Sequence, residues 1–221
     1  KQNIREREFH NKLQSSSKER FENVFYKALY NAGSDFFSII KINCKEKIVL
    51  DFGCGIGDAS RKVYDFNPKK ITGIDISEVS VKKASDEAKR LNLNIDYKVD
   101  NCEDLKFENN SFDLVYGTGI IHHLSTEKCV REISRVLKQE GNLYLSFPVS
   151  DRMFIQFNSQ YVFDEKFVSQ FEDDFDLKLM RFSFVDRSGQ FVNNSDWSVV
   201  NNFKSLSGND VSLFIGHFKK R

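Results

Sequence analysis

The segment of this chain best suited to chemistry is Val49-Leu50-Asp51-Phe52-Gly53-Cys54-Gly55-Ile56-Gly57. An apolar run ends in a carboxylate and breaks into glycines at alternate positions. Glycine accepts positive φ and lets a ligand approach the main chain. A strand that turns through glycines into a helix offers free N–H groups to a nucleotide. A second strand, Ile71-Thr72-Gly73-Ile74-Asp75, also ends in an acid. An acid about 20 residues beyond the glycines suits paired hydrogen bonds to ribose hydroxyls. The glycine order is D-x-G-x-G-x-G with Asp58 after Gly57, which departs from the G-x-G-x-x-G of dinucleotide folds.

Elements that could position these residues follow from periodicity and punctuation. Strands are predicted at 47–52, 70–75, 95–100, 112–117 and 142–148, and helices at 57–66, 77–92 and 126–138. The second of these helices has Ser77 as N-cap and Glu78 in its first turn, with Val81, Ala84, Ala88 and Leu91 at helical spacing. The third has Ser125 as cap and Val130, Ile133, Val136 and Leu137 on one face. Such alternation implies an α/β, doubly wound, mostly parallel sheet with helices on both faces. Beyond 148, a helix at 164–175 and strands at 177–185 and 210–219 predict an antiparallel pair at one sheet edge, which makes the last strand of a seven-stranded sheet antiparallel. The long polar connection 186–208 lies between those two strands. Before the first strand, residues 4–42 carry apolar residues at helical spacing and read as one or two helices broken near Ala32-Gly33-Ser34. The resulting division is an N-terminal helical cap or lid, 1–43, and a ligand-binding domain, 44–221.

Composition narrows the partners. With 33 basic and 32 acidic residues the net charge is +1, which gives no electrostatic support for nucleic-acid or membrane binding. Apolar runs are too short to span a bilayer, and no signal peptide is visible from Lys1 onward. The four cysteines (Cys44, Cys54, Cys102, Cys129) show neither zinc spacing nor a disulfide framework, so no metal is expected and a reducing cytoplasmic setting is. The 22 phenylalanines predict an aromatic core. Phe9, Tyr26, Tyr30, Phe154, Phe157 and Tyr161 are candidates to line a pocket, and His10 to reach it from a lid.

From Lys45 to Pro148 the chain resembles the class I, Rossmann-like S-adenosylmethionine-dependent methyltransferases. Besides the glycine segment, Ile74-Asp75-Ile76-Ser77 is similar to the second motif of that family, and Asn101-Cys102-Glu103-Asp104-Leu105 to its adenine-binding segment. Ser111 to Thr118, Ile121-His122-His123-Leu124 and Glu132 to Lys138 also resemble family wording. The resemblance implies S-adenosyl-L-methionine as cofactor, S-adenosyl-L-homocysteine as product, and these cofactor-binding residues: Asp51, Gly53, Cys54, Gly55, Gly57, Asp75, Ile76, Asn101, Cys102, Glu103, Gly117 and Thr118. Asp51 would hold the cofactor's ammonium through water or backbone, Asp75 the ribose diol, Asn101 the adenine amino group and the Cys102 N–H the ring. The family more often has Asp where Asn101 stands, but an amide oxygen accepts the same bond. His123 and His122 would stand at the pocket edge as candidate catalytic bases, since an imidazole with a pKa of about 6.5 suits taking a proton from a hydroxyl or amine. His123 is preferred.

The acceptor is narrowed mainly by what is missing. No [DN]-P-P-[YFW] segment serves amino methylation of nucleic acid, and no Pro-Cys nucleophile serves cytosine C5 chemistry. The last third is faintly similar to enzymes that methylate sugars. The expectation is methyl transfer to O or N of a small polar acceptor, possibly a sugar or glycosylated metabolite. The alternatives are a non-catalytic cofactor-binding module and a partner-recruited nucleic-acid or protein methyltransferase.

Overall fold

The structure, a computed structural model, describes residues 24–149, 153–156, 160–185, 191–192 and 212–221. Helix α1 (Val24–Cys44) leads into β1 (Ile48–Phe52), α2 (Asp58–Tyr64), β2 (Lys70–Asp75), α3 (Glu78–Arg90) and β3 (Asp96–Val99). Then come β4 (Phe112–Thr118), a 3-10 turn at Ile121–His123, α4 (Thr126–Val136) and β5 (Leu137–Val149). The hairpin β6 (Phe154–Gln156) and β7 (Gln160–Val162) precedes α5 (Glu165–Phe175), β8 (Leu177–Val185), β9 (Phe191–Val192) and β10 (Ser212–Lys220).

The main sheet has the order β3-β2-β1-β4-β5-β10-β8, with the two-residue β9 appended to β8. The first five strands in that order are parallel, and β10 runs antiparallel to both β5 and β8. This is the doubly wound, mostly parallel sheet with an antiparallel last strand expected from the sequence. Strand alternation divides the core by face. Val49, Leu114, Tyr116 and Tyr144 pack with Val63 of α2 and Phe36, Ile39, Ile40 and Cys44 of α1. Leu50, Phe52, Val115 and Leu145 pack on the other face with α4 and α5. The phenylalanines are concentrated on that second face, where Phe163 stacks on Phe167 at 4.0 Å and Phe171 on Phe218 at 4.7 Å.

Three local expectations are corrected. Helix α1 passes through Ala32-Gly33-Ser34 without a break, because the residues that follow bury at helical spacing and outweigh the roughly 1 kcal/mol cost of one glycine. Strand β5 starts at Leu137 rather than near 142. Leu137 pairs with Phe112, the register then shifts, and Asn142 pairs with Leu114. Glu140 takes φ +62, and a Cβ on Gly141 would lie 2.7 Å from the Lys138 carbonyl. The residues between the expected helix and strand, 139–141, thus form a bulge within β5. The hairpin β6–β7 was missed, because three-residue strands give too short a pattern to register.

Helix α1 runs antiparallel to the strands beneath it. Cys44 turns directly into the amino end of β1, where the Lys47 N–H donates to its carbonyl at 3.1 Å, whereas Asp35 accepts from Ser183 Oγ at 3.5 Å, level through Ile215 and Ser146 with Thr118, the last residue of β4. Its N-terminal half therefore projects toward the carboxyl ends of the strands, where parallel α/β sheets bind ligands. Phe9, His10, Phe157 and most of 186–208 lie outside the described residues, as do the side chains of Tyr26, Tyr30 and Phe154.

Candidate active site

The carboxyl ends of β1 and β2 bring the two sequence signals together. Gly53, Gly55 and Gly57 all have positive φ (76, 53 and 81). The Gly55 N–H donates to Asp75 Oδ2 at 2.9 Å, and the Ser77 N–H donates to Oδ1 at 2.8 Å. Each carboxylate oxygen keeps a further lone pair for an incoming hydroxyl. The Cys54 N–H donates to the Ile74 carbonyl at 2.7 Å, which ties the loop to β2 a second time. A side chain at Gly53 would meet Ile120 at 2.6 Å and one at Gly57 would meet Tyr97 at 2.4 Å, whereas one at Gly55 would meet nothing within 4 Å. The loop is backed on two sides and open at its middle glycine. Cys54 is buried, and burial pushes its thiol well above the ordinary range, so it is a packing group rather than a thiolate.

Asp51 lies one residue before the end of β1. It is 2% exposed, and its carboxylate accepts from Ser60 Oγ of α2 at 2.5 Å. Tyr116 pairs with Asp51 across β1 and β4, and its buried hydroxyl lies beside the same carboxyl. Burial pushes Asp51 up to about 7, and the negative charge of Asp75 adds to the shift. Asp51 thus sits beneath the loop, held by Ser60. Sequence reasoning missed Ser60, which belongs to no motif, and gave Tyr116, within the segment Ser111 to Thr118, no role beside Asp51.

The segment after β3 forms the second wall. Asn101 and Asp104 close a tight bridge, the Asn101 Oδ1 accepts from the Glu103 N–H at 3.0 Å, and Cys102 is buried against the α4 face of the core. The Glu103 carboxylate points to the start of α4, where its Oε1 accepts from the Ser125 N–H at 2.9 Å. Two α4 residues brace the rest of this segment. Glu132 accepts from the Leu105 N–H at 2.8 Å, and Arg135 donates to the carbonyls of Leu105 (2.9 Å) and Phe107 (2.7 Å). The i,i+3 spacing of Glu132 and Arg135 put both on one helix face and was the available signal.

At the exit of β4, Gly117 is buried and Thr118 exposed, while Ile76 beyond β2 is half-buried. The 3-10 turn holds His122 and His123 with ring centroids 4.1 Å apart. His122 is 6% exposed, its Nδ1 has no partner among the described residues, and burial lowers its pKa to about 3. It is neutral at physiological pH and a poor proton acceptor. His123 is half-buried. His217 is structural, bonded to Asn142 at 2.8 Å and stacked on Tyr144 at 4.5 Å.

Comparison with known proteins agrees with this arrangement. Residues 49–141 match the family described as methyltransferase domain. That match, together with the seven-stranded sheet, supports a class I S-adenosylmethionine-dependent methyltransferase domain. The chain is 31% identical to a tRNA U34 carboxymethyltransferase of Campylobacter fetus over 126 residues, 57% of this chain and 43% of that protein. It is 27% identical to the ubiquinone biosynthesis O-methyltransferase of Pelagibacter ubique, over 70% of this chain and 73% of that one. In fold it is similar to geranyl diphosphate C-methyltransferase of Streptomyces coelicolor, solved with Mg2+, geranyl diphosphate and S-adenosyl-L-homocysteine. There the TM-score is 0.74 at 12% identity, covering 100% and 98% of the two chains. The chain spans less than half the length of the first curated relatives it matches.

Proposed function

We propose that this protein transfers a methyl group from S-adenosyl-L-methionine to O or N of a small polar acceptor, such as a sugar or glycosylated metabolite. The observation that carries the reading is the bond from Gly55 N–H to Asp75 at 2.9 Å. It joins a loop open at its middle glycine to a carboxylate with lone pairs to spare, so backbone donors and a diol acceptor face one space. When bound, the cofactor supplies a methyl group on a sulfonium leaving group.

The protein's residues then have distinct tasks. Asp75 takes the ribose hydroxyls, and Gly53 to Gly55 line the amino-acid part with main chain. Asn101 and the Cys102 N–H take the adenine, and Ile76, Gly117 and Thr118 complete the walls. Asp51, beneath the loop, supports it through Ser60 and acts on the ammonium only through intervening groups. His123 rather than His122 takes an acceptor proton, since the burial that keeps His122 neutral also makes it too weak a base. Alignment of the acceptor supplies most of the rate in this scheme. The near-neutral charge supports a small acceptor over a polyanion.

Calorimetry with S-adenosyl-L-homocysteine tests the cofactor reading, and mass-spectrometric screening of hydroxyl and amine acceptors tests the reaction. Binding of S-adenosyl-L-homocysteine with no turnover on any acceptor would favour a non-catalytic module. A second reading, a tRNA acceptor, is favoured by the Campylobacter relative. It requires retention on tRNA that weakens steeply with salt.

A further inference from the structure

Glu103 lies in the segment assigned above to the adenine ring, yet its side chain serves another element. Its Oε1 accepts from the Ser125 N–H, 22 positions along the chain, at 2.9 Å. Ser125 is the N-cap of α4, and its own side chain makes no capping bond. An uncapped helix start needs an acceptor, and a carboxylate there is favoured by the helix dipole. Glu103 supplies that acceptor from across the site. Its main-chain N–H meanwhile donates to Asn101 Oδ1 at 3.0 Å. Asn101, Glu103 and Ser125 therefore form an unbroken polar chain from the adenine wall to α4.

Ser125 is only two residues beyond His123. The intervening Leu124 is 6% exposed, and its N–H donates to the Ile121 carbonyl at 3.3 Å. The turn that carries His123 is thus fixed by its own bonds at one end and by Glu103 at the other. A shift of Glu103 by a few tenths of an ångström must be taken up by that turn or by loss of the bond.

We propose that Glu103 is a positioning residue that couples occupation of the donor site to the placement of His123 on the acceptor side. The proposal rests on the assignment of residues 101–103 to the adenine. Coupling of this kind is reciprocal, so an acceptor that engages the turn tightens cofactor binding by the same factor.

Two variants cut the link from opposite ends. E103Q keeps the shape and removes the charge that strengthens the bond. S125P removes the N–H itself. Ser125 has φ −69 and Leu124 is extended (φ −117, ψ 169), so proline fits both positions. The ring resonances of His122 and His123 are followed by 1H–15N NMR during titration with S-adenosyl-L-homocysteine. In the wild type, the His123 resonance moves as the ligand saturates. E103Q reduces that movement at least twofold at saturation, and S125P abolishes it, with no further loss in the double variant. Should S125P fail to fold, E103Q alone decides. A wild-type His123 resonance that stays put at saturation overturns the proposal, as does an undiminished response in E103Q. A merely structural role would lower the thermal midpoint and leave the response intact. If wild-type protein does not bind the ligand at all, the site assignment fails first and takes the coupling with it.

Discussion

Gly55, in the loop after β1, and Asp75, at the end of the neighbouring parallel strand β2, are 20 residues apart and joined by a single bond from main-chain N–H to carboxylate at 2.9 Å. Asp75 thereby holds the loop in place before any ligand arrives. Its replacement by alanine removes both a ribose acceptor and the partner of two N–H groups. Bonds to a charged group contribute about 1.5–3 kcal/mol, so Asp75→Ala should weaken S-adenosyl-L-homocysteine binding by at least about tenfold in calorimetry. Circular dichroism should show the fold retained. Undiminished affinity would refute the assignment.

The glycines of the loop should differ in kind. Gly53→Ala drives a Cβ to 2.6 Å from Ile120 at φ +76 and should lower the thermal midpoint as well as binding. Gly55→Ala meets nothing within 4 Å. Its cost to the apo protein is limited to about 1–2 kcal/mol of left-handed strain, whereas the new methyl occupies ligand space. The expected result is a larger loss of affinity per degree of destabilisation at Gly55. Equal ratios at the two positions would contradict the open mouth.

Asp51 and His122 should bend the stability of the apo protein in opposite directions with pH. The folded state keeps a proton on Asp51 up to about 7, above the ordinary value of 3.8. Its contribution is therefore present at low pH and is lost as pH rises through that window, at about 1.4 kcal/mol per unit at most. His122 titrates at about 3 when folded and near 6.5 when not. Its contribution is present above 6.5 and is lost as pH falls. The two slopes offset each other between roughly 4 and 6.5. Chemical denaturation across pH should show a steeper loss on acidification in Asp51→Asn and a shallower one in His122→Asn. Parallel curves for wild type and both variants would remove the buried-charge account.

Arg135 and Glu132 hold the wall that carries Asn101 and Cys102, by bonds of 2.7–2.9 Å to Leu105 and Phe107. Arg135→Ala leaves two carbonyls short of donors and should cost about 2 kcal/mol of stability. Cofactor affinity should fall with it, although neither side chain belongs to the proposed contacts. A stable variant with weak binding and one with neither defect are distinguished by denaturation and calorimetry on the same sample.

Much of this was legible because short-range rules governed it. Ser77 caps α3 by accepting from the Ser80 N–H at 3.1 Å, and the D-x-G-x-G-x-G spacing with Asp75 located the loop before any coordinates. What the pattern hid was long-range. Ser125 looked like a self-sufficient cap, yet its N–H depends on Glu103. Asp51 is buried and bonded to Ser60, a partner that no motif names. Helix α1 ignored the break expected at Gly33 because its burial against β4 and β5 was invisible in the local pattern. The acceptor side was least legible, since no residue type there has a spacing rule.

Strand β10 occupies a position between β5 and β8, although those two strands precede it by tens of residues. During synthesis the segment holding α5 and β8 emerges with nothing to dock against on its inner edge. The parallel half, with its glycine loop, is complete long before. Late insertion of a middle strand closes a long loop and is slow, so a nascent chain should spend time with a finished donor half and an exposed β5 edge, a natural point for chaperone capture.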